Sequence, residues 1–190
     1  VYGGPVASAL IEELAYYGIK FVLAYGLAGG LGTKNLKMGD FYLVENALAL
    51  DGTTPHYTDA SLIPSDASLN ATIMEMAAAG KLPALTPAQA MTSDAIYREY
   101  DQSLEDAREK GCDIVNCDSA HLFAVSREVG IRTTQCGVIS DVTTGVGEEW
   151  DSKLAAMLTS SGGEAGDPLS LVGELVTFYV ETLMPELPRQ

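Results

Sequence analysis

Three stretches of this chain carry residue types that could do chemistry. Ser140 and Asp141 close the apolar run "GVISDV", Cys117 and Asp118 stand in "VNCDSAHLF", and "VLAYGLAGGLGTKNLKMGD" has glycine at four of the seven positions from Gly26 to Gly32. A carboxylate at the end of a strand is placed to give up a proton or to accept hydroxyl hydrogen bonds. A glycine cluster after an apolar run turns backbone N–H groups toward an anion. Each stretch also has a plain structural reading. Asp141 suits a cap or an Asx turn before "TTGVG". Asp118-Ser119 suits the N-cap of a following helix. The glycines suit a turn where backbone passes close to backbone.

Several common chemistries fail on spacing. A dinucleotide fingerprint needs G-x-G-x-x-G leading at once into a helix, but Gly30-Leu31-Gly32 runs on to Asn35 and then to a strand-like segment. Lys34 lies between Thr33 and Asn35, so no P-loop is present. Two histidines and three cysteines without C-x-x-C spacing argue against a classical zinc site, and no metal is expected. No G-x-S-x-G elbow occurs.

The elements that must position these residues alternate. "GGPVASALIEELAYYG" predicts a helix, with Pro5 at its first position and Gly18 just past its end. "IKFVLAYG" predicts a short buried strand and "DFYLVENALAL" a second one. "DGTTPHYTDASLIPSD" reads as loop. "SDASLNATIMEMAAAG" predicts a helix capped by Ser65 or Asp66 and stopped by Gly80. A strand in "PAQAMTSDAIY", a charged helix in "EYDQSLEDAREKG", a strand-to-helix passage in "CDIVNCDSAHLFAVSREVG" and a long strand in "IRTTQCGVISDV" follow. "PLSLVGELVTFYVETLM" predicts a closing helix. Alternating strands and helices, with strands apolar throughout, predict an α/β fold with helices on both faces of a mixed or parallel sheet. Ligands in such sheets sit at the carboxyl ends of strands.

The balance of 26 acidic against 11 basic residues, a formal charge of -15, disfavours nucleic acid and anionic membranes as partners. No apolar run approaches the ~18 residues a membrane span needs. Cys112, Cys117 and Cys136 form no disulfide framework, which suggests reduced thiols and a cytoplasmic setting. The length of 190 residues suits a single domain spanning residues 1–190.

Taken in order, "GIKFVLAYGLAGGL", "DGTTPHY", "TSDAIYRE", "VNCDSAHLFAVSREVGIR" and "GVISDV" resemble the nucleoside phosphorylase and nucleosidase superfamily, which includes purine nucleoside phosphorylase, uridine phosphorylase and methylthioadenosine nucleosidase. The resemblance implies a three-layer α/β fold whose central sheet is mixed and largely parallel, here lacking the family's N-terminal part and left with an unprotected sheet edge. It implies cleavage of the N-glycosidic bond of a small-molecule nucleoside by a homo-oligomer, without metal or organic cofactor, phosphate staying open as a co-substrate. Such cleavage builds positive charge on the sugar and negative charge on the leaving base. It calls for an acid at the base, a group on the ribose hydroxyls and a nucleophile beneath the sugar.

By the same resemblance Asp141 is the acid that protonates a purine, with Ser140, Val115, Ile96 and Tyr97 on the base side. Ile96 stands where Phe is usual, and a core position is its plain alternative. Cys117 and Asp118 match a Met-Glu pair whose acid holds the ribose, the acid here being one methylene shorter. The backbone of Gly26, Leu27, Gly29 and Gly30 forms the floor for the nucleophile or phosphate. Phosphorolytic relatives carry Arg and a hydroxyl where this chain has Ala24 and Leu27, so a hydrolytic nucleosidase is favoured. A divergent phosphorylase and a nucleoside-binding protein without activity remain as alternatives. His56 reads as a solvated loop residue. His121 reads as helix surface or a satisfied core group.

Overall fold

Pro5 and Gly18 bracket the first helix as expected: α1 runs Gly4–Tyr16 with proline in its first turn, and Gly18 takes a positive φ of 83°. The computed structural model describes residues 3–95, 98, 100–142, 173, 176–178, 180, 181 and 184. The expected closing helix and the segment before it lie mostly outside these residues, as do Ile96 and Tyr97. After α1 come β1 (Phe21–Gly30), β2 (Phe41–Leu50), β3 (Leu62–Pro64), α2 (Ala67–Ala78) and β4 (Leu85–Ser93). Then follow α3 (Asp101–Glu109), β5 (Ile114–Asn116), α4 (Ser119–Glu128) and β6 (Arg132–Val142).

The strands form one mixed sheet in the order β3-β2-β4-β5-β1-β6, and its ends meet because β2 also pairs with β6. The long ladders β1–β6 and β2–β4 are parallel, as is the short β4–β5 ladder, while β1–β5, β2–β3 and β2–β6 are antiparallel. Closure depends on a change of partner along β2. Phe41 to Leu43 bond β6, Asn46 to Leu48 bond β3, and the register of β2 on β4 slips between Val44 and Asn46. A bulge there bends the strand away from one neighbour and toward the other.

Alternate residues of β2 enter different cores, which explains why the strand is apolar throughout. Tyr42 and Val44 pack with Ile139 and, from α4, Phe123. Phe41 and Leu43 pack with Ile73 and Met76 of α2. β1 departs from the expectation of a short buried strand. It is ten residues long and takes in Gly26 to Gly30, so most of the glycine cluster is strand rather than turn. It is also only partly buried, with Tyr25 51% exposed. β1 bonds β5 only at Gly29 and Gly30, so along that side Phe21 to Ala28 has no strand partner among the described residues.

Asp66 caps α2 as expected, accepting from the amides of Ser68 and Leu69, while Arg132 at the start of β6 grips both its oxygens at 2.9 and 3.0 Å. Burial opposes ionisation of Asp66, but the Leu69 amide, the Arg132 guanidinium and Ser68 outweigh it and hold its carboxyl below the usual range. The folded value lies below the unfolded one, so this stabilisation is complete above the ordinary carboxylate range. It is lost as pH falls through the folded value. Asp66→Ala is expected to cost about 1–2 kcal/mol at neutral pH by loss of the cap. Asp66→Asn, which keeps an acceptor, should cost less. In urea melts both deficits should shrink together toward low pH; deficits that persist there would refute the charge pairing.

Candidate functional site

Residues at the strand ends gather because two sets of strands run in opposite directions. β5 enters antiparallel to β1, with Val115 opposite Gly29 and Ile114 opposite Gly30. The chain leaving the carboxyl end of β5, through Asn116 to Asp118, therefore heads back along the middle of β1. On the other side of β1 the register with β6 slips: Ala28 faces Ile139 but Gly29 faces Asp141, leaving Ser140 as the extra residue. Bulges re-aim the side chains beside them. Here the Ser140 hydroxyl donates to Asp141 Oδ1 at 2.6 Å and lies 3.3 Å from the Ala28 carbonyl.

Gly29 is the floor between two of these side chains. A Cβ placed there would stand 3.1 Å from Val115 Cγ1 and 3.4 Å from Asp141 Oδ2. Four residues named from the sequence, Gly29, Val115, Ser140 and Asp141, thus meet at one spot. Gly30 lies just beyond, against Val142 and Ile139. Gly26 has open space where a Cβ would be. Leu27 contributes backbone only, since its side chain packs beside Phe41 and Leu43.

Asp118 stands apart from a capping role. It occupies the N-cap position of α4 yet makes no side-chain cap bond. The cap is supplied instead by Asn116 Oδ1, which accepts from the amides of Asp118 and Ser119 at 3.2 Å, and by the Thr92 hydroxyl, which accepts from the amide of Ala120 at 2.9 Å. Asn116 also donates to Ser119 Oγ, whose hydroxyl donates to Gln135 Oε1, both at 2.7 Å. This buried network fixes the entry to α4 and leaves the carboxylate beside it unused. Oδ1 of Asp118 is buried with no hydrogen-bond partner. Burial pushes its carboxyl up, with His121 pulling the other way. Cys117, the preceding residue, is half-buried and outside any disulfide.

Tyr42, which the sequence offers no reason to single out, reaches the glycine strand from β2. Its ring is fully buried and its hydroxyl donates to the Gly26 carbonyl at 3.4 Å. Burial, then the neighbouring Cys136 and Asp118, keep that hydroxyl protonated far above the usual tyrosine range.

A second group forms at the ends of β2 and β4. Asp51 accepts from the amides of Thr53 and Thr54 and from the Thr54 hydroxyl, at 2.7 to 2.9 Å. Burial opposes its ionisation, but the facing His121 and the Thr54 and Thr53 donors prevail and hold it below the usual carboxylate range. Asp94 Oδ2 accepts from the Gly52 amide at 2.7 Å. α1 buttresses this turn so closely that a Cβ on Gly4 would sit 1.9 Å from Thr53 Oγ1. His121 is neither helix surface nor a satisfied core group: it is 0% exposed and neither ring nitrogen has a hydrogen-bond partner. No described helix is long and apolar enough to cross a membrane.

The chain is 30% identical over 173 residues to an uncharacterised protein of Acanthamoeba polyphaga mimivirus, covering 90% of this chain and 66% of that one. It is 26% identical over 132 residues to the guanosine phosphorylase of Halorubrum lacusprofundi, covering 68% and 54%. The chain spans about two thirds or less of the length of these curated relatives. Its fold is similar to purine nucleoside phosphorylase from Toxoplasma gondii in complex with immucillin-H, with a TM-score of 0.73 at 20% identity over 94% of this chain and 68% of that one. It is also similar to futalosine hydrolase of Helicobacter pylori, with a TM-score of 0.71 at 20% identity over 93% and 76%. Hydrolase and phosphorylase thus both stand among its neighbours in fold. The sequence profile of the phosphorylase superfamily runs from residue 3 to residue 165, through every strand and every strand-end residue described above, and it is to this superfamily that the chain belongs.

Proposed function

We propose that this chain cleaves the N-glycosidic bond of a purine-type nucleoside with water as the nucleophile. The observation that carries the reading is the carboxylate of Asp118. It is half-buried, unused by the helix it precedes, and its Oδ1 is buried with no hydrogen-bond partner. Leaving a buried acceptor unmatched costs about 1–3 kcal/mol, more for a charged group, and ribose hydroxyls are donors of the required kind. The Met-Glu position that Asp118 matches in the superfamily supports the same role.

In the proposed reaction the bond from the anomeric carbon to the base nitrogen breaks, and its electron pair leaves with the base. Asp141 gives its proton to the purine ring as that charge develops, and the Ser140 hydroxyl holds the carboxyl in place. Water adds to the sugar carbon from the side of the Gly26 to Gly30 backbone and releases a proton, so the products are free base and ribose. Asp118 bonds the ribose hydroxyls more strongly as the sugar gains positive charge.

Water is favoured over phosphate by Ala24 and Leu27. Neither offers charge or a hydroxyl to a dianion, and the Leu27 side chain is committed to the core. A charge-assisted hydrogen bond contributes about 1.5–3 kcal/mol, so lacking the Arg alone lowers phosphate affinity by about ten- to a hundredfold. Base release should therefore be the same with no phosphate and with tens of millimolar. Chromatography of the sugar product decides it: ribose supports hydrolysis, and ribose 1-phosphate as the main product refutes it.

A further inference from the structure

We propose that Asp51, Asp94 and His121 bind a divalent first-row transition ion, of the Zn2+ or Mn2+ type, at the carboxyl ends of β2, β4 and β5. One ligand atom from each residue lies within 4.8 Å of the other two. Donors bound to a common ion at about 2.0–2.2 Å stand roughly 3–4.4 Å apart, so a small side-chain movement completes the site.

His121 points most directly to a ligand. A buried imidazole normally has a partner on each nitrogen, yet His121 is fully buried and has none on either. Its Nδ1 is 3.6 Å from Asp51 Oδ1, too far for a hydrogen bond. A neutral imidazole has one nitrogen lone pair to give a metal, and this ring has no other partner to claim it. Both acids are also held in position from behind, Asp51 by the Thr53 and Thr54 amides and the Thr54 hydroxyl, Asp94 by the Gly52 amide. Among the described residues no Lys or Arg forms an ion pair with Asp51 or Asp94. Two carboxylates thus converge on one imidazole with no described Lys or Arg between them.

The donor set selects the ion. One nitrogen and two carboxylate oxygens suit Zn2+ and Mn2+, whereas Ca2+ and Mg2+ favour oxygen alone. Three protein ligands leave coordination positions for water. The sequence gives no hint of such a site, because its ligands are 43 and 27 positions apart along the chain. The inference departs from the expectation that no metal is held, and it does not rest on the nucleoside reading.

The test uses the full chain, stripped with a chelator and dialysed. Titration calorimetry with Zn2+ and with Mn2+ should show one site per chain, absent with Mg2+, and a rise in melting temperature on loading. Asp94 is exposed, so Asp94→Ala should fold normally and weaken binding by at least tenfold. His121→Gln should do the same, and Co2+ loading should give visible absorption bands in the parent that are lost in both variants. No binding by the parent overturns the proposal. So does binding unchanged in folded Asp94→Ala, which would assign the ion to other surface acids.

Discussion

Asp141→Asn is expected to slow release of the base from a purine nucleoside by about a hundredfold or more while nucleoside affinity stays nearly unchanged, the usual contribution of a positioned general acid. The separation of rate from affinity follows from where the side chain sits. Its carboxyl lies over Gly29 and beside Val115, held by Ser140. Asparagine has the same shape and still accepts the Ser140 hydroxyl, so the bulge in β6 and the floor beneath it should persist. What disappears is a proton that can leave. Single-turnover base release from adenosine, inosine and methylthioadenosine is the measurement. Rates unchanged across all three would remove Asp141 from the mechanism. No release from the parent protein, with nucleoside still raising its melting temperature, would favour a binding protein that has kept the fold.

Local signals in the sequence correspond to local features of the structure. Pro5 and Gly18 bound α1, and Asp66 and Gly80 bound α2, because a proline ring, a capping carboxylate and a glycine with positive φ act on their own few residues. The alternation of strand and helix likewise predicts a mixed, helix-flanked sheet. Closure of that sheet is not legible, because it depends on β2 exchanging β6 for β3 at a bulge that no residue type announces. β1 extends through the glycines because β6 supplies a ladder along its whole length, a tertiary effect that overrides the low strand preference of glycine.

The candidate site divides in the same way. Ser140-Asp141 and Cys117-Asp118 stand out as strand-end residues. The meeting of Asp141, Gly29 and Val115 depends on a register slip between distant strands. Tyr42 looks like any aromatic residue in an apolar strand, and His121 like any histidine on a helix. Their positions become informative only once Gly26 and Asp51 are folded against them.

Asp118→Ala should weaken nucleoside binding by about ten- to a hundredfold or more, the worth of one or two hydrogen bonds to a charged acceptor, and should leave binding of the free base nearly unchanged. The sequence alone leaves a competing expectation, since a helix-capping aspartate replaced by alanine costs about 1 kcal/mol of stability and affects both ligands alike. The structure separates the two outcomes because the cap belongs to Asn116 and Thr92. Removing Asp118 takes away a half-buried carboxyl whose buried Oδ1 has no partner, so the melting temperature should hold or rise. Asn116→Ala should do the opposite. It strips the amides of Asp118 and Ser119 of their acceptor and breaks the link to Gln135, so the melting temperature should fall. Calorimetry with a nucleoside and with its base, beside melting curves for both variants, reads all four quantities. A stable Asp118→Ala protein that binds nucleoside as tightly as the parent would remove the ribose contact, and with it the observation on which the proposed function rests.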